Sequence, residues 1–508
     1  MQPALPFRKA IFFAAVFCAA IFLLYYEDGN VGTSWPANVV HNWLQFGFLS
    51  LHGQLVYNPG GFDIAKHPMV YAGMSPVSLY PPFLASKIFE WSGLDTLPFD
   101  FFLVPLLLWA IWRLLGRDDF AVTVAALAVL CPGYMRFLKI LDPNTLAVLP
   151  AIPFAVIVLA ILRKSKLTAT QWIGLVIFTL AFMSLNWTTG WIFAPSIFLL
   201  FMMPGVNRRA LIGLVAVMTI GVFLVVAVSF ALKAGNDAGA TGHMKPVIVL
   251  AGYTWGSGGY GQGLTTGRAF VRLAVVNGAG LLPLGLALLY ATVQRMRAGG
   301  GFPWFAFAPL ALTVMDIVIM RNYFGHHPPM AGPLLLVGLV FSITLLRCVP
   351  SEGAKNIPEK NSFKLAPALA LAGFVYGLAV LVCFRANENH LLFVTQLIRQ
   401  NTARSDVIAI VKANDPATAS QASRLDEPVD RHIIVADNFP ALAAQTNHWL
   451  LLTSVNPGGS FKLVAQSVPP SQSWVSLPGE WFSRFIAKRS ANDRIDLSGP
   501  YYLYAPVR

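Results

Sequence analysis

A chain of 508 residues with 56% hydrophobic and only 12% charged residues, and a mean hydropathy of +0.61, lies far from the roughly 25% charged composition of soluble domains. It reads as a polytopic α-helical membrane protein. The net charge of +13 does not point to nucleic acid, because Lys and Arg sit largely in short connectors between apolar segments, where positive charge fixes orientation in a bilayer.

The chain opens with Arg8-Lys9 and an apolar run that ends at Tyr25-Tyr26-Glu27-Asp28. No small-residue cleavage site is offered, so the run is read as an uncleaved first helix. Segments near the length of about 20 residues needed to span are expected at 9–26, 98–115, 120–135, 146–162, 169–186, 190–204, 210–232, 270–292, 302–320, 329–347 and 365–384. Cys18, Cys131, Cys348 and Cys383 lie in or beside these segments at unrelated spacings, which suggests packing rather than a disulfide framework or a Cys-type zinc site.

The segment 80–92, YPPFLASKIFEWS, decides the topology. If it does not cross and the N-terminus is cytoplasmic, the inner connectors carry Arg8-Lys9, Arg113 and Arg117, Arg163-Lys164-Lys166, Arg208-Arg209, Arg295 and Arg297, then Arg347, Lys355, Lys360 and Lys364. Every inner connector is then basic, as the positive-inside rule requires. The segment is therefore read as a helix lying along the surface, with Lys87, Glu90 and Trp91 at headgroup level.

The outer face then collects the loop 27–97, the stretch around Arg136, Lys139 and Asp142, Asn186-Trp187-Thr188-Thr189, the loop 233–268 and Arg321 to His327. Within 27–97 stand Glu27, Asp28, His41, His52, Asp63, Lys66 and His67. Ser34 before Pro36 is a helix start, and PANVVHNWLQFGFLSLHG follows it. Val39, Val40, Trp43, Leu44, Phe48 and Leu51 fall on one face and Asn38, His41, Asn42 and Gln45 on the other, which predicts a helix in the interface. Tyr57-Asn58-Pro59-Gly60-Gly61 breaks it.

The glycine-rich run 256–263 has no Gly-Lys-Ser/Thr and follows no strand, so it is read as a lid rather than a phosphate loop. Beyond residue 384 the charges separate and polar turns appear. Residues 385–508 suffice for a small α/β domain, with strands expected at 431–437, 448–454 and 501–504 and a helix at 439–446. The organisation expected is a helical membrane domain over 1–384 and an extracytoplasmic domain over 385–508.

Glu27-Asp28 after the first helix, HNWLQFGFLSLHGQLVYNP and Tyr80-Pro81-Pro82-Phe83 together resemble the GT-C membrane glycosyltransferases, in particular the protein-mannosyltransferase and aminoarabinose-transferase-like branch. Pro132-Gly133-Tyr134-Met135-Arg136 followed by Leu141-Asp142-Pro143, and Arg321 to Pro329 before an apolar helix, resemble further elements of that family. The resemblance covers roughly residues 5–350; the C-terminal region matches only in being an outer soluble domain.

The resemblance implies transfer of a sugar from a polyprenyl-phosphate donor to a lipid, protein or glycan acceptor, with inversion. Asp28 or Glu27 would activate or anchor the acceptor, with Asp142 in a supporting acidic role. Arg321, Arg136, Lys139 and Arg268 would bind the donor phosphate, with hydrogen bonds from His326 and His327. Tyr80, Pro81, Pro82 and His67 belong to the acceptor or substrate loop. A divalent metal held by Glu27, Asp28 and His67 is compatible with these donor types, although no ligand spacing is diagnostic.

Two other classes remain open on the residues alone. A secondary transporter usually shows repeats and ionisable groups near the bilayer midplane, whereas Asp316 is the one clear acidic residue inside an expected span. A non-catalytic component of envelope polysaccharide assembly is the second alternative.

Overall fold

The computed structural model describes residues 35–66, 68–70, 75–88, 99–129, 131, 143–164, 166–185, 187–236, 266–297, 302–320, 324, 331–349, 372, 375–376, 394–419, 422, 425, 429–446, 448–458, 461–467 and 500–507. The first part is helical: α1 (Trp35–Phe46), α2 (Tyr80–Ile88), α3 (Phe99–Leu114), α4 (Asp119–Val129), α5 (Pro143–Val148), α6 (Ala151–Leu162), α7 (Ala169–Met183), α8 (Phe193–Met202), α9 (Arg208–Asn236), α10 (Thr266–Arg297), α11 (Ala308–Ile319) and α12 (Ala331–Cys348). The segments expected at 9–26 and, apart from isolated positions, 365–384 lie outside the described residues.

Local chemistry explains several boundaries. Thr168 and Gln171 form a reciprocal capping box at the start of α7, satisfying donors that the first turn leaves free. The segment expected as one helix over 146–162 is two. Pro150 has no N–H to continue the ladder of α5, yet it is tolerated at the head of α6, where its carbonyl accepts from Phe154 N at 2.9 Å.

The helices share one large apolar core in which α3 packs on α4, α12 on α10 and α11, and α7 on α9. Close approach is built from small residues. A Cβ added to Gly338 of α12 would lie 2.5 Å from Thr313 Oγ1 and 3.2 Å from Leu310 Cα of α11. Buried hydroxyls donate back into their own helices, as Thr123 does to Asp119 O, Thr292 to Leu288 O and Thr344 to Val340 O. Large apolar side chains also line the outside, with Ile173, Ile177, Ile212 and Phe223 at least 60% exposed. Among the described residues one helix, α12, is long and apolar enough to cross a membrane by length and composition.

The second part begins with α13 (394–401) and continues through β1 (Val407–Val411), α14 (Pro416–Ala419), β2 (His432–Ala436), α15 (Phe439–Gln445), β3 (Leu450–Thr453), β4 (Phe461–Ser467) and β5 (Tyr501–Pro506). The sheet order is β2-β1-β3-β5-β4. Strands β2, β1 and β3 are parallel, whereas β3, β5 and β4 are antiparallel, with a register shift between Leu463 and Ala465. Strand β1 is buried along its whole length. Ile408 and Ile410 face one apolar cluster with Val394, Ile398 and Leu425, while Ala409 and Val411 face the other with Leu442. Burial on both faces is why VIAIV is a continuous apolar run rather than an alternating one.

Strands and a helix were expected at 431–437, 439–446, 448–454 and 501–504, and they form at His432–Ala436, Phe439–Gln445, Leu450–Thr453 and Tyr501–Pro506. Strands β1 and β4 were not expected. A five-residue apolar run and a weakly alternating edge strand give little periodic signal.

Candidate functional site

The first loop builds its own small core. In α1, Val39, Val40 and Trp43 pack with Leu55, Leu79, Phe83, Leu103 and Leu146. The Trp43 ring sits 5.6 Å from Phe83 edge-on and 5.8 Å from Tyr80, and Phe48 stacks on Phe83 at 5.3 Å. Helix α1 ends at Phe46 rather than continuing to Gly53: Gly47 turns the chain with a φ of +93°, and Phe48 and Leu51 reach the same core from the turns that follow. Asn58 fixes the return by donating to Phe62 O at 2.9 Å and accepting from Met69 N.

The expected polar face of α1 is not solvated. It carries the sheet region. Asp430, with its side chain 3% exposed, accepts from His41 Nδ1 at 2.8 Å, from Arg404 Nε at 2.8 Å and from Gly60 N at 3.0 Å. Arg404 also donates to Asn42 Oδ1 at 2.8 Å and to Gln45 Oε1. Asn42 in turn donates to Val56 O and Asn58 O, so one buried amide joins the helix, its own loop and the sheet region. Phe62 stacks on His432 with ring centroids 3.7 Å apart and planes within 4°.

Two backbone features make this contact specific. Gly60 has a φ of +62°, and a Cβ there would lie 2.5 Å from Arg404 O, a close approach open only to glycine. Asp430 itself has a φ of +49°, a left-handed conformation that Asp tolerates better than most residues. Arg431 holds the turn of Arg404 to the turn of Asp430. Its guanidinium donates to Thr402 Oγ1 and Thr402 O, both at 3.0 Å, and to Asp430 O. Burial pushes the Asp430 carboxyl up, but the hydrogen bonds from His41 and Arg404 and the Arg404 charge outweigh it, leaving the group well below the usual carboxylate range.

Of the residues expected to do chemistry, Glu27, Asp28, His67, Arg136, Lys139, Asp142, Arg321, His326 and His327 lie outside the described residues, and so does the side chain of Arg268 in the first turn of α10. Described residues from the segments that follow Glu27-Asp28 and Asp142, and from the stretch Arg321 to His327, make the contacts below. Leu146 of α5, just after Asp142-Pro143, is in the core of the first loop. Helix α5 also packs on Trp187–Ile192 and on Pro76–Leu79. Ser75 Oγ donates to Ser184 O at 2.9 Å. Phe324, from the stretch Arg321 to His327, is fully buried with its ring 5.0 Å from Trp191. Tyr80, Pro81 and Pro82 open α2; Pro82 is buried and burial raises the Tyr80 phenol above its ordinary value.

The basic connectors meet at the other end. Arg347 pairs with Asp118 through both guanidinium nitrogens and lies 4.9 Å over the Phe120 ring. Arg295 caps α12 by donating to Leu346 O and to Val349 O at 2.8 Å, and Asn207 N donates to Leu162 O at 2.8 Å. Arg163 is within electrostatic reach of Cys348. The turns after α3, α6 and α8 and the ends of α10 and α12 are thus brought together.

Sequence reasoning missed Asp430, Arg404 and the role of His41. His41 was legible as part of a polar helix face, but Asp430 sits 389 residues away and no periodicity marks it. Among the described residues no group of three or more His, Cys, Asp or Glu is assembled that could hold a metal; the candidate ligands Glu27, Asp28 and His67 lie outside them.

Compared with family models, with curated proteins and with solved structures, the chain gives no match in any of the three.

Proposed function

We propose that this chain is an inner-membrane glycosyltransferase of the GT-C type, which moves a sugar from a polyprenyl-phosphate donor to a lipid, protein or glycan acceptor on the outer face, with inversion. The observation that supports this reading is that α1, α5, the turn Trp187–Ile192 and Phe324 form one chain of contacts, and that these elements follow Glu27-Asp28 and Asp142 or lie within Arg321 to His327 in the sequence. The apolar outer surface supports a lipid environment. The basic turns gathered at the opposite end support a cytoplasmic side there.

In the proposed reaction the acceptor oxygen forms the new bond to the anomeric carbon as the bond to the donor phosphate breaks. The departing phosphate keeps the electron pair. Asp28 or Glu27 takes the acceptor proton, Asp142 assists, and Arg321 with Arg136, Lys139 or Arg268 offsets the phosphate charge. His326 and His327 add donors. The first loop and the sheet region, held to each other through Asp430, form one outer body over this end.

Substituting Glu27→Gln, Asp28→Asn and Asp142→Asn together tests the reading. Transfer from a polyprenyl-phosphate sugar should fall by about 100-fold or more with the melting temperature unchanged. A folded triple variant that still transfers sugar would overturn it. Sidedness is tested separately with single cysteines at Asn456 and Lys164 in a cysteine-free background, where a membrane-impermeant maleimide should label only the first in intact spheroplasts.

A further inference from the structure

Two basic turns stand side by side with no anion between them. Arg163, Lys164 and Lys166 lie in the turn between α6 and α7, and Arg208 and Arg209 open α9; all five side chains are exposed. The bond from Asn207 N to Leu162 O, 2.8 Å long, ties one turn to the other. Among the described residues none of the five side chains makes a hydrogen bond or an ion pair, and Arg208 lies 5.0 Å over the Phe201 ring. No carboxylate is supplied locally, because residues 143–236 contain neither Asp nor Glu.

Elsewhere at this end cations are used within the protein. Arg347 pairs with Asp118, Arg295 caps α12, and Arg117 lies 5.9 Å over the Trp112 ring. Orientation in a bilayer asks for positive charge in inner turns, but it does not ask for two of them to be tied together and left unneutralised. Like charges held close raise the local potential and gather anions.

The surface beside the patch narrows the kind of anion. Helices α7 and α9 both start there and run in parallel: a Cβ on Gly213 would meet the Trp172 ring at 3.0 Å, and one on Gly221 would meet Met183 Cβ at 2.9 Å. Near their starts they present Ile173, Ile177 and Ile212, each at least 60% exposed. At a rise of about 1.5 Å per residue these side chains lie within about 12 Å of the helix starts, inside the roughly 15 Å of one hydrocarbon leaflet. Phosphate oxygens only accept, and Arg and Lys only donate. A free phosphate therefore matches the cations alone, whereas a phospholipid matches the cations and the isoleucines together.

We infer that the two tied turns form a site for an anionic phospholipid of the inner leaflet, with its headgroup phosphate on the five cations and its chains along Ile173, Ile177 and Ile212. The inference rests on the membrane placement proposed above and not on the transfer chemistry.

The experiment uses the full chain in a cysteine-free background with Ile212→Cys carrying bimane, reconstituted in phosphatidylcholine membranes that contain brominated phosphatidylglycerol or brominated phosphatidylcholine. The ratio of quenching gives the preference of the site for the anionic lipid. It should be about 10-fold or more, and should fall to near parity when Arg163→Gln and Arg209→Gln are added. Arg297→Gln, at the exposed end of α10, should leave it within about twofold. Equal quenching by the two lipids in the parent chain overturns the inference and leaves the membrane placement standing. A preference that Arg297→Gln lowers as far as the double variant does also overturns it, since the lipid is then drawn by the whole basic end. No quenching by either lipid overturns the membrane placement and the inference with it. If the double variant does not reconstitute, Arg209→Gln alone should lower the preference about fivefold, and an unchanged preference overturns the inference.

Discussion

Asp430 Oδ2 lies 2.8 Å from His41 Nδ1, joining the turn before β2 to a helix 389 residues earlier. The same carboxylate accepts from Arg404 and from the backbone of Gly60. A single buried anion therefore determines how the sheet region sits on the first loop.

Asp430→Ala should release that contact. Removing one partner of a buried charged cluster costs about 3 kcal/mol, and alanine also tolerates the φ of +49° at this position poorly. Asp430→Gly relieves the backbone and keeps only the electrostatic loss, so it should be the milder change. Hydrogen exchange over residues 35–62 is the measurement: protection should fall in both variants, and further in D430A.

The pH dependence should come in two stages. A carboxyl whose folded value lies below its unfolded one contributes stability that is complete above about pH 4 and is lost as pH falls through the lowered value. Asp430 is such a group. Burial also lowers the His432 ring, with Asp63 opposing in part. A base lowered in this way supports the contact while neutral, and that support begins to be lost below about pH 6.5. Melting profiles should show a weak upper loss that His432→Phe removes and a larger one below pH 4 that Asp430→Asn removes.

Gly60→Ala should undo the contact from the other side. The added Cβ would meet Arg404 O at 2.5 Å on a backbone with φ of +62°, and left-handed strain with the clash costs at least about 2 kcal/mol. Limited proteolysis of the 57–62 turn should become faster, while unfolding of the helical core stays where it is in wild type.

Gly338→Ala tests the helical core. The new methyl would press on Thr313 at 2.5 Å, forcing α11 and α12 apart at about 1–3 kcal/mol. Thr313→Ala removes the nearest atoms but not Leu310 Cα at 3.2 Å. The double variant should recover part of the loss, and a thermal double-mutant cycle should give a favourable coupling.

Much of the helical architecture was legible because burial repeats along the chain. Leu334, Val337 and Phe341 in α12 are buried with their neighbours, and such apolar runs announce a buried helix wherever they occur. Stop signals were legible too, as at Tyr57-Asn58-Pro59-Gly60-Gly61, where a 3-10 turn forms at Pro59–Gly61. The end of α1 at Phe46 was not, because Phe48 and Leu51 keep the apolar pattern going while Gly47 leaves the helix. Tertiary packing of those two side chains does not require the helix that the pattern implies.

The sequence by itself determined which segments are apolar, which turns are basic and which face of α1 is polar, since each is written in neighbouring residues. Only the tertiary structure decided what that polar face is for. His41, Asn42 and Gln45 look like a solvated stripe until Asp430 and Arg404 arrive from the distant sheet region. An ion pair is specified by one donor and one acceptor with no repeat around them, so nothing local predicts it.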